Sequence, residues 1–286
     1  MRKITHWFSI AWLGLAGVVS TSTHAALAEL TLPNKVIAKA DFRQGDPQKP
    51  VVVILHGFLQ TQNFPTITGL TEGLSSEGYS VLAPTLSLGV THRTQSMACE
   101  AMHTHSVEST AAELNAWVKW LKAKGFKKII IAGHSLGNVT NLAYLSSYPD
   151  SSVRKFIGIS MVEGRLKLNE QGRAKLISSL RAKIKNGTKE IQENQFSFCQ
   201  KFRSTPESIE SYLDWGPEKL LAAIRKTKVP ATMIMGSKDD RLGPDWTSHL
   251  QKTRAKVIIL EGANHFMDGQ FEFDLLEKVL LELKGI

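Results

Sequence analysis

Apolar positions in this chain follow two alternating periods. At Val51–Leu55 five aliphatic residues run without a polar interruption, the pattern of a short strand buried on both faces of a parallel sheet. Similar runs return at 79–84, 127–132, 153–160, 231–235 and 256–260. Between them the apolar spacing lengthens to that of a helix. The clearest case is 106–124, where Leu114, Trp117, Val118 and Leu121 form one stripe and Gly125 supplies the stop. Weaker helical patterns run through Leu70 and Leu74 to Gly78, from Gly137 to about Tyr148, over Trp246–Gln251 and over Phe271–Leu283. Strands separated by helices imply right-handed crossovers, and hence an α/β fold with a mostly parallel central sheet flanked by helices. Two stretches break the rhythm. Residues 85–105 read as irregular. Residues 163–228 hold charged helical segments, 166–185 and 206–213 among them, and read as a helical cap inserted over the C-terminal edge of the sheet.

The amino terminus stands apart from this pattern. Arg2 and Lys3 precede an apolar stretch from Trp7 to Val19, and small residues follow at Thr23-His24-Ala25 and Ala26-Leu27-Ala28. These are the three parts of a secretory signal peptide, and cleavage after Ala25 or after Ala28 fits equally well. The apolar stretch is shorter than the ~20 residues that cross a bilayer. Residues 1–28 are therefore expected to be removed, leaving 29–286 as one domain of an exported protein, periplasmic or secreted. Export changes the reading of Cys99 and Cys199, the only two cysteines, because an oxidising compartment favours their pairing as a disulfide. The formal charge of +9 falls to about +7 once Arg2 and Lys3 leave. Its basic residues are scattered and accompany no nucleic-acid motif, so nucleic acid is not an expected partner; weak attraction to an anionic envelope surface is. At 42% hydrophobic and 21% charged, the composition is that of an ordinary globular domain.

Chemistry concentrates at strand ends. Gly133-His134-Ser135-Leu136-Gly137 lies directly between a buried strand and a helix. A serine on so tight a turn projects its hydroxyl above the sheet, and glycines two positions away on either side avoid the neighbouring strand and helix. Such a serine needs a base. His265 is the best placed histidine, in a loop after the last strand, on the edge where parallel strands gather their C-terminal ends. An orienting acid is expected one strand earlier, where Gly236-Ser237-Lys238-Asp239-Asp240 offers two carboxylates. Asp239 is the first choice and Asp240 the alternative, with the other capping the following turn. The amide of Leu136, after the nucleophile, and that of Phe58, placed by His56-Gly57 after strand Val51–Leu55, are the two expected oxyanion donors. His92, Glu100, His103 and His105 in the irregular segment carry metal-ligand chemistry, but His103 and His105 sit two apart, wrong for one helix face. No metal or organic cofactor is expected. The segment is read instead as a pocket wall tied to the cap through Cys99 and Cys199. The cap aromatics Phe196, Phe198, Phe202, Tyr212 and Trp215 suit either an acyl pocket or the cap's own core.

Taken together, His-Gly-Phe at 56–58, Gly-His-Ser-Leu-Gly at 133–137, Gly-Ser-Lys-Asp-Asp at 236–240 and Gly-Ala-Asn-His-Phe at 262–266 resemble the α/β-hydrolase superfamily in order and spacing. The resemblance is to its esterase, lipase and thioesterase branch, and it covers nearly all of 29–286 except 85–105 and the cap. It implies an α/β-hydrolase fold, with Ser135 as nucleophile, His265 as base, Asp239 as acid and Phe58 and Leu136 at the oxyanion. The function implied is hydrolysis of a carboxylic ester through an acyl-enzyme, on a small-molecule or lipid-like acyl substrate. A thioesterase or peptidase would use the same triad, and a non-catalytic envelope binding protein is the remaining class.

Overall fold

The computed structural model describes residues 25–164 and 168–286, so the expected signal peptide lies almost wholly outside the described residues. In chain order the strands are β1 (Ala25–Thr31), β2 (Ile37–Arg43), β3 (Val51–Leu55), β4 (Ser80–Thr85), β5 (Ile129–His134), β6 (Val153–Ile159), β7 (Gln192–Phe196), β8 (Cys199–Ser204), β9 (Ala231–Gly236) and β10 (Lys256–Leu260). Eight of them form one sheet in the order β1-β2-β4-β3-β5-β6-β9-β10, while β7 and β8 pair as a separate antiparallel hairpin. From β4 to β10 every neighbouring pair is parallel; β1 and β2 add an antiparallel edge that the apolar pattern had not marked. Cleavage after Ala25 would remove only the first residue of β1, which pairs with Arg43, whereas cleavage after Ala28 would cut the strand in two.

The central strands show why an unbroken apolar run specifies this position. In β3, Val51, Val53 and Leu55 point into one core and Val52 and Ile54 into the other. β5 divides likewise, with Ile129 and Ile131 on one face and Ile130 and Ala132 on the other. Successive strand side chains face opposite ways, so a strand with helices on both sides has no polar face to offer. One core is closed by α2 (Val107–Ala123) and α3 (Gly137–Ser147), the other by α1 (Pro65–Ser76) and α8 (Phe271–Leu283). Helix α2 starts where Ser106 accepts a hydrogen bond from the Ser109 amide. Helix α8 is anchored at its end by Glu282, whose carboxylate accepts from Lys155 on β6, Thr232 on β9 and Lys256 on β10.

Between β6 and β9 the chain forms α4 (Glu170–Lys185), the β7–β8 hairpin, α5 (Pro206–Asp214) and α6 (Pro217–Lys226). The cap is thus not purely helical as expected: its middle is a hairpin. Helix α4 begins only at Glu170, where Asn169 accepts from the Gly172 amide. The short α7 (Trp246–Gln251) joins β9 to β10. Among the described residues no helix is long and apolar enough to cross a membrane.

Candidate active site

Three loops at the C-terminal ends of β5, β9 and β10 converge on one point. The first is the turn between β5 and α3. Ser135 has φ +55°, a left-handed conformation that a non-glycine residue adopts only under constraint. The constraint is visible: the Ser135 amide donates to the Ile159 carbonyl at 3.0 Å, and Asn138 Nδ2 donates to the carbonyls of both Ser135 and Ile159. A Cβ on Gly137 would lie 2.6 Å from the His56 carbonyl oxygen, and one on Gly133 would lie 2.6 Å from Asn141 Nδ2. Glycine at both positions is therefore what lets the helix start against β3 with the serine raised above it.

The Ser135 hydroxyl lies 2.9 Å from His265 Nε2, and His265 Nδ1 lies 2.7 Å from Asp239 Oδ2. The carboxylate accepts, so Nδ1 carries the proton and Nε2 faces the hydroxyl as an acceptor. His265 and the Asp239 carboxylate are buried, while Ser135 is half-buried and opens onto the surface. His134 adds a brace by donating from Nε2 to the His265 carbonyl at 2.9 Å. Burial first, and then the neighbouring His265, hold the His134 imidazole down to about 3, so it is neutral beside the site. Asp240, the alternative acid, is exposed and does not reach His265. Nor does it cap the turn: Asp239 does both, its second oxygen accepting from the Arg241 amide at 3.1 Å.

A fourth loop, the one after β3, faces the same point. Neither the Phe58 amide nor the Leu136 amide donates to an acceptor among the described residues, and a Cβ on Gly57 would sit 3.2 Å from Ser135 Cβ. Two unpaired amides beside the serine suit a developing oxyanion. The Phe58 ring is enclosed by Phe196, Phe198, Phe202 and Tyr212 at 5.3–5.7 Å between centroids. Of the cap aromatics only Phe198 is exposed; Phe196, Phe202, Tyr212 and Trp215 are buried as cap core. Alongside the serine runs an open groove of about 860 Å³, with Val162, Leu168, Phe198, Leu242 and Phe266 on its apolar side and Lys238, Asp240 and Arg241 at its rim.

Cys99 and Cys199 are joined in a disulfide that ties the irregular segment after β4 to the hairpin. Of the segment's histidines only His103 and His105 come together, without His92 or the Glu100 carboxylate. His92 lies near Glu29, and Glu100 uses its carbonyl to accept from Arg203. Tyr212 donates to His105 Nδ1 at 2.7 Å, His105 Nε2 to His103 Nδ1 at 3.2 Å, and His103 Nε2 to the Ala98 carbonyl at 3.0 Å. That direction of donation follows from the one fixed acceptor at its end. Burial keeps His105 down to about 3 and lowers His103 as well, so the row is neutral. Sequence reasoning overlooked Arg93, Gln60, Glu113 and Asn138, polar residues whose partners lie far along the chain.

A family model described as alpha/beta hydrolase fold matches residues 50–175, which include Phe58 and Ser135 but not Asp239 or His265. Comparison with curated proteins finds no sequence match. Solved structures similar to this one include the alpha/beta hydrolase GrgF from Penicillium sp. sh18, at TM-score 0.69 and 16% identity, covering 91% of this chain and 98% of that one. A monoacylglycerol lipase from Paleococcus ferrophilus aligns at TM-score 0.65 and 17% identity over 86% of this chain and 98% of its own. A thermophilic esterase from Thermogutta terrifontis aligns at TM-score 0.62 and 15% identity over 91% and 98%.

Proposed function

We propose that this chain, whose fold is that of the α/β-hydrolases, is a serine hydrolase cleaving carboxylic esters through an acyl-enzyme. The observation that carries the proposal is the unbroken line Ser135 Oγ–His265 Nε2, His265 Nδ1–Asp239 Oδ2, at 2.9 and 2.7 Å. In this mechanism Ser135 attacks the ester carbonyl as His265 takes its proton. Asp239 holds the imidazole in the required tautomer and stabilises the imidazolium. The amides of Phe58 and Leu136 bind the oxyanion of the tetrahedral intermediate. His265 then returns the proton to the leaving alcohol, and a water activated by the same imidazole releases the acid. The apolar side of the groove suits an acyl chain, and the esterase and the lipase among the similar folds favour an ester over other acyl derivatives.

We place the protein outside the cytoplasm, in the periplasm or secreted. The basic start, the short apolar stretch and the small-residue exit support that, as does a disulfide in a chain with no other cysteine.

The test is covalent labelling with a fluorophosphonate probe, followed by turnover of p-nitrophenyl esters of increasing chain length. Labelling at Ser135 that disappears in Ser135→Ala is the expected result. A folded wild-type protein that takes no label, or a variant that still does, would remove this reading.

A further inference from the structure

The Phe58 amide and the Gly57 carbonyl belong to one planar trans peptide, so fixing the carbonyl fixes the direction of the amide. The Gly57 carbonyl accepts from His56 Nδ1 at 2.8 Å and from the Gln60 amide at 3.3 Å. The amide must therefore face away from the loop's interior. His56 can do this only if its ring is itself held, and at its far side Nε2 accepts from the Leu86 amide at 3.0 Å.

Everything behind that ring leads to Arg93. Its side chain, 5% exposed, comes from the irregular segment after β4. Nε donates to the Leu86 carbonyl at 2.7 Å, and one terminal nitrogen donates to the Gln95 carbonyl at 2.8 Å. The other donates to the Gln60 carbonyl at 2.7 Å and approaches His56 Nε2 at 3.3 Å. Leu86 thus gives its amide to His56 and its carbonyl to Arg93, closing a ring of bonds around the imidazole. The loop so gripped is under strain: Leu59 has φ +58° and is buried, and its carbonyl accepts from the Met97 amide. A left-handed aliphatic residue persists only where its surroundings over-determine it. Only a guanidinium presents enough donors, in a fixed plane, to meet three carbonyls and a ring nitrogen at once. Burial, and next the charge of Arg93, hold the His56 imidazole down to about 3, so Nε2 stays an acceptor at any physiological pH.

We propose that Arg93 is a positioning residue for the oxyanion site: its guanidinium locks His56 and Gln60 so that the Phe58 amide is held where the oxyanion forms. The proposal deepens the serine-hydrolase reading and rests on it for what the amide serves.

The experiment compares full-length wild type, Arg93→Ala and Arg93→Lys on a p-nitrophenyl ester. The expected result is a fall in kcat toward the roughly 10²–10³-fold that loss of one oxyanion donor costs, with KM little changed. Lysine does not restore it. Millimolar guanidinium restores part of the kcat of Arg93→Ala, and the same concentration of potassium does not. Wild-type kcat in both variants would overturn the proposal, as would a loss confined to KM or one insensitive to guanidinium. Should Arg93→Ala fail to fold, Arg93→Lys carries the same reading of kcat against KM. A wild-type protein inert toward esters and the fluorophosphonate probe would instead sink the hydrolase reading. In that case a crystal structure of Arg93→Lys decides the geometry: a turned or disordered Gly57–Phe58 peptide supports the inference, and an unmoved one ends it.

Discussion

The two walls of the cleft are built on opposite principles. The wall over Phe58 is stitched at every level: the Cys99–Cys199 disulfide, backbone bonds between His103, Arg203, Thr205 and Cys99, the Tyr212–His105–His103 row and four rings around Phe58. The facing wall is held more lightly. The Gly243 amide donates to Glu163, Trp246 Nε1 donates to the Met161 carbonyl at 2.7 Å, and Arg241 lies over the Phe266 ring at 4.6 Å. Lys238, Asp240 and Arg241 on that side are exposed. On the serine-hydrolase reading proposed above, the difference follows from what each wall would do. An oxyanion donor is useful only if it is already in place when charge develops, whereas a surface that admits substrates of some variety gains nothing from being rigid. The insertion, read from sequence as a cap, is on the hairpin side less a lid than a buttress.

The sharpest way to break this comparison is at Asp239 and Asp240, neighbours in the chain that face opposite tasks. Asp239→Asn is expected to lower kcat by about 10⁴-fold, because the amide leaves the imidazole in the wrong tautomer. Asp240→Asn, on the open rim, is expected to alter KM and leave kcat near wild type. Steady-state kinetics of the two variants checks this, and equal losses of kcat would show that the lightly held wall is also catalytic.

The next effect concerns the stitched wall. The disulfide closes a loop across a sequence separation of 100 residues. Its reduction, or Cys199→Ser, is expected to lower unfolding free energy by about 2–4 kcal/mol. Since the hairpin packs on Phe58, kcat should fall more than affinity does. Denaturant melts and kinetics with and without reductant read both; unchanged kcat in reduced, folded protein would make the disulfide a matter of stability alone.

How far the sequence speaks depends on how local the determinant is. β3 and β5 were legible because burial on both faces leaves an unbroken apolar run, and Gly133 and Gly137 because they flank a serine directly between a strand and a helix. β7 was missed for the opposite reason: its burial alternates, only Phe196 is fully buried, and QENQF looks like part of a charged helix. The antiparallel edge β1–β2 was equally quiet. Ser135, Asp239 and His265 are brought within hydrogen-bond distance of one another, and their loops could be named from strand order. Choosing between Asp239 and Asp240 required coordinates, since both follow the same strand. Arg93 and Glu113 have no local signature at all: Arg93 sits among polar loop residues and reaches back to Leu86 and Gln60, and Glu113 takes up the amide and hydroxyl of Ser87 from another element.

Glu113 provides the smallest and most specific test, again by setting one wall against the other. It sits on α2, 4% exposed, and accepts from the Ser87 amide at 2.9 Å and the Ser87 hydroxyl at 2.5 Å. Burial pushes its carboxyl up to about 7, against the pull of the Ser87 bonds and the nearby Arg93 charge. In the unfolded chain a glutamate titrates at about 4.3, so between there and about 7 the folded state binds more protons than the unfolded one. Stability contributed by this group is therefore present at mildly acid pH and lost as the pH rises to neutrality, on the order of 3 kcal/mol in all. Glu113→Gln cannot ionise, so its unfolding free energy should flatten across that window and exceed wild type above it. Denaturant unfolding of both proteins at intervals from pH 5 to 8 measures the two slopes directly. Asp240→Asn, altering an exposed carboxylate on the open rim, should leave the wild-type slope as it is; parallel slopes in wild type and Glu113→Gln would mean that Glu113 is ionised across the whole range and that water reaches the stitched wall.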